Sequence, residues 1–195
     1  TDGEKIAVQD ADFAVEQDVA LAVGHGNSFV LGATNKGYVS GWDDNKIYVV
    51  NLDTLTLDEP IVLPTTGYTT CAVDDVNGII YIFQRETRPN TESVYNVIVY
   101  DYINETTKDT YVTSISFGAM QSCDLFHDRI IVLNGLGTNA LPNGYRVFNL
   151  KGEILADYYF PNFDEIEPEG VFIDRATGSI YISFGNRTVY KIVSV

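Results

Sequence analysis

The chain has 195 residues, of which 45% are hydrophobic, and its 27 acidic and 12 basic side chains give a formal charge of −15. This length suffices for one sizeable domain, and the composition is that of a folded chain. The negative charge repels phosphate backbones and anionic lipid surfaces, so we expect no nucleic-acid partner. No run of 18 apolar residues occurs, so we also expect no membrane insertion. The acidic surface either keeps the protein soluble or binds cations or neutral sugars, and composition leaves both open.

Short β-strands separated by turns are predicted along the whole chain. The first is EKIAVQDAD, at 4–12, and four repeat units follow at about 26–64, 69–116, 119–162 and 167–195. Each unit has a short apolar strand, a polar turn, a strongly apolar strand, a loop, and then two further strands joined by a turn. The last unit has room for only three strands. Abundant Val, Ile, Tyr and Phe, the absence of helical periodicity, and hairpin turns such as DDVNG and DRATG together predict an all-β fold.

The spacing of the units predicts their arrangement. Cys71, Cys123 and Gly170 occupy equivalent positions, with offsets of 52 (123 − 71) and 47 (170 − 123) residues. A repeat near 50 residues with four strands predicts a β-propeller, here a single domain over 1–195 with four-stranded antiparallel blades. Four blades are visible, and residues 10–34 leave a fifth open. We expect the strand at 4–12 to complete the last blade, which pairs both termini in one sheet and removes exposed edges.

The segments just before each innermost strand are the place to look for a ligand site, because they meet at one end of a propeller. Here they are GHGN (24–27), TT (69–70), QS (121–122) and EPE (167–169). Together with a Trp-Asp pair on the next strand, they supply polar and unlike side chains. The predicted ligand-binding residues are His25, Asn27, Trp42, Asp43, Thr70, Gln121, Glu167 and Glu169.

Two of these positions have a structural and a functional interpretation. His25 lies between two glycines, which allow a sharp turn, so its imidazole either caps that turn or contacts a ligand. Trp42 is the only tryptophan and stands next to Asp43, so its indole either packs in the core or stacks on a sugar ring.

The two glutamates at the start of the last unit also have both a structural and a functional interpretation. Pro168 keeps Glu167 extended, and side chains two residues apart on an extended segment share a face. Glu167 and Glu169 therefore hold a cation, bind sugar hydroxyls, or form a solvated acidic turn.

Asp124 interrupts an apolar strand and needs an ion-pair partner, hydrogen bonds or a wet channel. The cysteines at equivalent positions indicate small buried packing residues.

Three segments, GHGNSFVLG, YVSGWDDN and EPEGVFIDRATGSIYISF, resemble the propeller domain of bacteriophage tail receptor-binding proteins of Gram-positive hosts and the related teichoic-acid-operon protein TagC. That group carries Gly-His-Gly before a strand, Trp-Asp on the following strand and Glu-Pro-Glu-Gly at the last blade. The matching positions are Gly24, His25, Gly26, Trp42, Asp43, Glu167, Pro168, Glu169 and Gly170. The resemblance implies a receptor-binding module, extracellular on a virion or cell envelope, that recognises a host-surface glycan. The negative charge suits a neutral glycan better than an anionic teichoic acid.

Three functions are consistent with the sequence. The first is a non-enzymatic propeller that recognises a cell-surface carbohydrate or protein without a cofactor. The second is a hydrolase resembling the calcium-dependent sugar lactonases, in which Glu169, Asn27 and Asp124 hold Ca²⁺ in the channel and the cation activates a bound water. The third is a structural protein-interaction propeller. The chain contains no GxSxG, P-loop, HExxH or CxxC motif, which favours a non-enzymatic function.

Overall fold

The computed structural model describes the chain in ten segments, and the structural statements below concern these alone. They are residues 5–9, 15–23, 26–41, 45–65, 69–87, 93–113, 119–135, 143–160, 166–185 and 188–192. All regular structure in them is β-strand, as the sequence predicts. No helix in these segments has the length and apolar character that crossing a bilayer requires.

Blade 1 is an antiparallel sheet whose outer edge is divided into two short pieces. Its strands are β3 (Gly26–Leu31), β4 (Lys36–Gly41), β5 (Lys46–Asn51), β6 (Thr56–Leu57) and β7 (Ile61–Val62). One end of β5 pairs with β6 and the other end pairs with β7, so together they act as the fourth strand.

Blades 2 and 3 are complete four-stranded antiparallel sheets whose strands follow chain order. Blade 2 contains β8 (Thr69–Asp74), β9 (Ile79–Thr87), β10 (Ser93–Asp101) and β11 (Thr106–Val112). Blade 3 contains β12 (Ala119–Phe126), β13 (Arg129–Gly135), β14 (Gly144–Asn149) and β15 (Ile154–Tyr159). The sequence of each strand reflects its place: the second strand of blade 3, RIIVLNG, is buried after its first residue, whereas the outer strand of blade 2, TTKDTYV, is polar and mostly exposed.

Blade 4 has three described strands, and the N-terminal segment forms a separate hairpin. The blade contains β16 (Pro168–Ile173), β17 (Ile180–Phe184) and β18 (Val189–Ile192). The hairpin pairs β1 (Lys5–Gln9) with β2 (Val15–Ala20). We predicted that residues 4–12 pair with the last blade; instead, β1 pairs with β2, and in the described segments β18 pairs with β17 alone. A partner six residues away closes a much shorter loop than one at the far end of the chain, which costs less entropy.

The four blades form a ring. Contacts join β3 to β8, β8 to β12, β12 to β16 and β16 back to β3. The protein is therefore an all-β, four-bladed β-propeller, as the repeat predicts. β12 also contacts β3 across the ring, so the centre is narrow. The end at which the four innermost strands begin is named the upper end, and the opposite one the lower end.

Apolar side chains fill the seams between blades 1 and 2, blades 2 and 3, and blades 3 and 4. Ile80 and Ile82 belong to the cluster between blades 1 and 2, and Leu133 belongs with Ile182 and others to the cluster between blades 3 and 4. Between blades 2 and 3, the rings of Phe83 and Phe148 lie with their centroids 5.6 Å apart. This packing fixes the blades, and with them the relative positions of the innermost strands.

Candidate functional site

Three of the four innermost strands carry a β-bulge at the upper end. The extra residue is Asn27 in β3, Gln121 in β12 and Glu169 in β16, each lying between two residues that pair with consecutive residues of the next strand. The described register of β8 in blade 2 has no such shift. Bulges concentrate next to functional sites because the extra residue re-aims a side chain. All three bulge residues are predicted ligand-binding residues, but the bulges align Gly170 with Ser122 and not with Cys123, so the register taken from the sequence was one residue off in blade 4.

Glycines on the second strands leave room for two of these side chains. A Cβ atom on Gly135 would lie 2.7 Å from Cγ of Gln121, and one on Gly185 would lie 3.2 Å from Oε1 of Glu169. A contact of 2.7 Å is shorter than real Cβ atoms make, so an alanine at 135 would displace the glutamine side chain. The side chains of Gln121 and Glu169 therefore occupy space that a side chain at position 135 or 185 would take.

Glu167 connects blades 3 and 4 at this end. The Gln121 Nε2 group donates a hydrogen bond to Glu167 Oε1, and the backbone N–H of Gly185 donates to the Glu167 carbonyl oxygen at 2.9 Å. Glu167 is half-buried, whereas Glu169 is exposed. We expected the two glutamates to share a face, but the bulge at Glu169 breaks the two-residue alternation on which that expectation rested. The two carboxylates therefore have different environments.

Thr70 lies inside the ring, beneath the upper end. It is fully buried, and its hydroxyl donates to Ser28 Oγ at 3.3 Å and lies 3.6 Å from Cys123 Sγ. Ser28 Oγ lies 3.0 Å from Ser40 Oγ in the same blade. A chain of polar contacts therefore joins blades 1, 2 and 3 at the centre. Thr70 belongs to the floor of the candidate site and not to its exposed surface.

The two cysteines are buried and unbonded to each other. Burial raises the pKa of the Cys71 thiol to about 12. Burial also raises the pKa of Cys123, and the nearby Cys71 adds to this effect. Both thiols therefore stay protonated at neutral pH and act as small packing residues, which confirms the interpretation made from their equivalent positions.

Asp124 is a buried carboxylate that accepts hydrogen bonds from three protein donors. It is 1% exposed. Its Oδ1 accepts from Leu125 N at 2.8 Å and from Arg175 Nη2 at 2.6 Å, and its Oδ2 accepts from Ile173 N at 2.8 Å. Burial raises the pKa of Asp124 to about 6, against the opposing effects of Arg175 and the two backbone N–H groups. The partner that this charge requires is therefore an arginine from the neighbouring blade.

This position separates Asp124 from the other residues nominated for a calcium site. Its partner Ile173 is four residues along β16 from Glu169, which is about 13 Å at roughly 3.3 Å per residue. Asp124 is thus on the lower part of the ring, while Glu169 and Asn27 are on the upper part. The Asp124 carboxylate is therefore bound by protein donors about four residues along the strand from the backbone position of Glu169.

Arg175 is a residue that sequence reasoning did not single out. Besides binding Asp124 of blade 3, its Nη2 donates to the carbonyl oxygen of Leu31 in blade 1 at 3.2 Å. It therefore links blades 3, 4 and 1 at the lower end. Its segment, DRATG, was interpreted only as a hairpin turn. The sequence did contain a signal for such a residue. Asp124 is a carboxylate in an otherwise apolar strand, and a buried charge of this kind requires a cationic partner from another segment.

Asp75 makes an equivalent link between blades 2 and 1. Its Oδ1 accepts from Ala33 N at 2.9 Å, and its Oδ2 accepts from Thr34 N at 2.9 Å and from the Thr34 hydroxyl. Burial by itself raises the pKa of Asp75, but the hydrogen bonds from Thr34 and Ala33 outweigh it and hold the pKa below 3.8. Together, Asp75 and Arg175 connect all four blades through their lower turns.

We expect Asp75→Ala to lower the free energy of unfolding by about 2 kcal/mol at pH 7, because two backbone N–H groups lose a charged acceptor. The folded pKa lies below the unfolded one, so this stability is present above pH ~4 and is lost as the pH falls below it. Urea unfolding at pH 7 and pH 3 measures both effects. Asp128→Ala, which removes an acid that is 81% exposed in another lower turn, is the control. An Asp75 variant as stable as this control would contradict the link.

His25, Trp42 and Asp43 lie outside the described residues, and of Asn27 only the backbone position is described. Within the described segments, no group of three or more His, Cys, Asp or Glu side chains is arranged to hold a metal ion. His127, the second histidine, is exposed in the turn after β12.

No protein-family model matches this chain, and no curated protein sequence matches it. The class of protein is therefore defined by the fold alone, a β-propeller of four antiparallel blades.

Proposed function

We propose that this propeller is a non-enzymatic binding module that recognises a cell-surface carbohydrate or protein through its upper end. The observation that carries the proposal is the set of bulges that places Asn27, Gln121 and Glu169 at equivalent positions in three blades. Amide and carboxylate groups together donate and accept hydrogen bonds, which is what sugar hydroxyls require. A repeated structural position would keep one residue type, whereas these three differ.

We further propose that the module acts outside the cell, on a virion or cell envelope. The support is the resemblance of the segments around His25, Trp42 and Glu167 to phage receptor-binding propellers. The formal charge of −15 favours a neutral glycan over an anionic polymer.

The calcium-dependent hydrolase is the weaker proposal. It requires Asp124 as a ligand, and that carboxylate already accepts three hydrogen bonds from protein donors on the lower part of the ring. A binding module that uses no Ca²⁺ leaves the ion pair between Asp124 and Arg175 unchanged.

A glycan array of neutral and anionic saccharides tests the proposal. We expect Glu169→Gln to weaken binding at least about tenfold, because a hydrogen bond to a charged group contributes about 1.5–3 kcal/mol. Trp42→Ala should also reduce binding if the indole stacks on a sugar. Glu59→Gln is the matched control, since it removes the same charge from an exposed position in blade 1.

Retention of the wild-type profile by folded Glu169→Gln would contradict recognition through the upper end. An array without any bound saccharide would point instead to a protein partner, which a pull-down from a host-cell surface fraction with the same variants examines. A strong rise of the melting temperature with Ca²⁺, abolished in Glu169→Gln, would favour the hydrolase.

A further inference from the structure

A groove of about 770 Å³ lies between blades 3 and 4, extends to the turns of the lower end, and includes none of the predicted ligand-binding residues in its lining. Its apolar lining comes from both blades and includes Ile131 and Val147 of blade 3 and Ile173 and Ile180 of blade 4. These residues also belong to the cluster that packs the two blades together. The groove is thus a widening of a packed seam, with a preformed apolar floor.

Aromatic side chains form one wall of the groove. Tyr145 and Tyr158 stack with ring centroids 4.7 Å apart and an angle of 23° between the planes. Tyr145 is 6% exposed and is held in the cluster, whereas Tyr158 is 49% exposed. A flat or apolar group can therefore lie against the Tyr158 ring without displacing core residues.

The charge of the groove differs from that of the whole chain. Acidic residues outnumber basic ones 27 to 12, yet the charged residues that line the groove are Arg129 and Lys191, with no aspartate or glutamate. The Lys191 ammonium lies 5.6 Å from the centre of the Tyr181 ring, and these two residues pair on the face of blade 4 opposite to Ile180 and Ile192. The cation presented to the groove is therefore Arg129.

Arg129 is well placed for this role. It is two residues from Ile131 along β13, so both side chains point to the same face of blade 3. Its side chain is 63% exposed, and the nearest acid is Asp128, which is 81% exposed with its Oδ1 3.8 Å from Arg129 Nε. That separation is too long for a good hydrogen bond, so the guanidinium keeps donors for another anion.

We propose that this groove binds a small organic anion with a planar or apolar body. Arg129 holds the anionic group, because a guanidinium matches the geometry of carboxylate, sulfonate or phosphate oxygens. Tyr158 and the isoleucine floor hold the body. This site is distinct from the upper end, and it does not depend on the proposed function there.

Fluorescence titration with 8-anilinonaphthalene-1-sulfonate, a planar apolar anion, tests the proposal on the natively folded chain. We expect Arg129→Gln to weaken binding about fivefold, as for a partly exposed ion pair of roughly 1 kcal/mol. Tyr158→Ala should weaken it by a similar factor. The neutral relative N-phenyl-1-naphthylamine should respond to Tyr158→Ala and not to Arg129→Gln.

Two matched controls separate the groove from non-specific effects. Lys46→Gln removes the same charge from β5 in blade 1, and Tyr159→Ala removes a neighbouring tyrosine that is also 49% exposed, on the opposite face of β15. Both should leave the affinity within about twofold, while circular dichroism melting verifies the fold of every variant. Absence of binding to the wild type, or equal affinities in Arg129→Gln, Tyr158→Ala and both controls, would overturn the proposal.

Discussion

Arg175→Ala is expected to lower the free energy of unfolding by about 3 kcal/mol at pH 8, because removing this partly exposed arginine leaves the charge of the buried Asp124 carboxylate uncompensated. Asp124, at 1% exposure, would keep only two backbone N–H donors. The carbonyl of Leu31 would also lose its contact with the guanidinium, so blades 3, 4 and 1 would all be affected. The loss should therefore appear as a decrease of global stability rather than as fraying of one hairpin.

The destabilisation by Arg175→Ala should also depend on pH, and the titration of Asp124 determines the direction of that dependence. Burial raises its folded pKa to about 6, above the unfolded value near 3.8, so the folded state binds this proton more tightly. The stability linked to this group is therefore greatest below pH ~4 and decreases as the pH rises to ~6. Without Arg175, the folded pKa of Asp124 rises further, because the arginine no longer lowers it. Protonation of Asp124 then removes the unpaired buried charge. The destabilisation by Arg175→Ala should accordingly be smaller at pH 5 than at pH 8.

Urea unfolding of the wild type and Arg175→Ala at the two pH values measures this difference. Arg129→Ala, which removes an arginine that is 63% exposed, should cost less than about 1 kcal/mol at both. A loss for Arg175→Ala that matched this control, or one that increased toward pH 5, would contradict the ion pair as the connection between the blades.

Phe148→Ala is expected to cost about 3–5 kcal/mol, since it creates a cavity in the seam between blades 2 and 3. The side chain is fully buried and lies with its ring centroid 5.6 Å from that of Phe83 across the seam. Phe172→Ala provides the comparison, because this ring is 39% exposed on the innermost strand of blade 4 and should cost about 1 kcal/mol or less. Chemical denaturation of both variants measures the ratio. Similar losses in the two variants would mean that the seams do not provide the main packing energy.

The ring and part of the candidate site could be predicted from the sequence, because they follow from local repetition. Strand alternation and a period near 50 residues place the segments that contain Asn27, Gln121 and Glu169 ahead of the innermost strands, and the structure shows that each of these residues is the extra residue of a bulge. The bulges themselves could not be predicted, because they depend on the pairing of a strand with its neighbour. The bulge at Glu169, for example, interrupts the two-residue alternation from which a shared face for Glu167 and Glu169 was expected.

Contacts between segments that are distant in sequence account for the remaining differences between the predictions and the structure. The partner of Asp124 is 51 residues away in sequence, and no local pattern identifies Arg175 among the 12 basic residues. The hairpin of β1 with β2 was missed because VEQDVA shows little of the apolar alternation that marks a strand. Thr70 was predicted to bind the ligand, but β12 contacts β3 across the ring and the Thr70 hydroxyl is enclosed between the innermost strands.

The hydroxyl and thiol groups at the centre have a consequence for how any partner reaches this protein. Among the described residues, the buried side chains of Ser28, Thr70 and Cys123 contact one another across the middle of the ring. If the upper end binds a ligand as proposed, a molecule beside Gln121 would enter and leave on that side of this buried layer. Its residence time would then depend on the residues around the upper end and not on those of the lower turns.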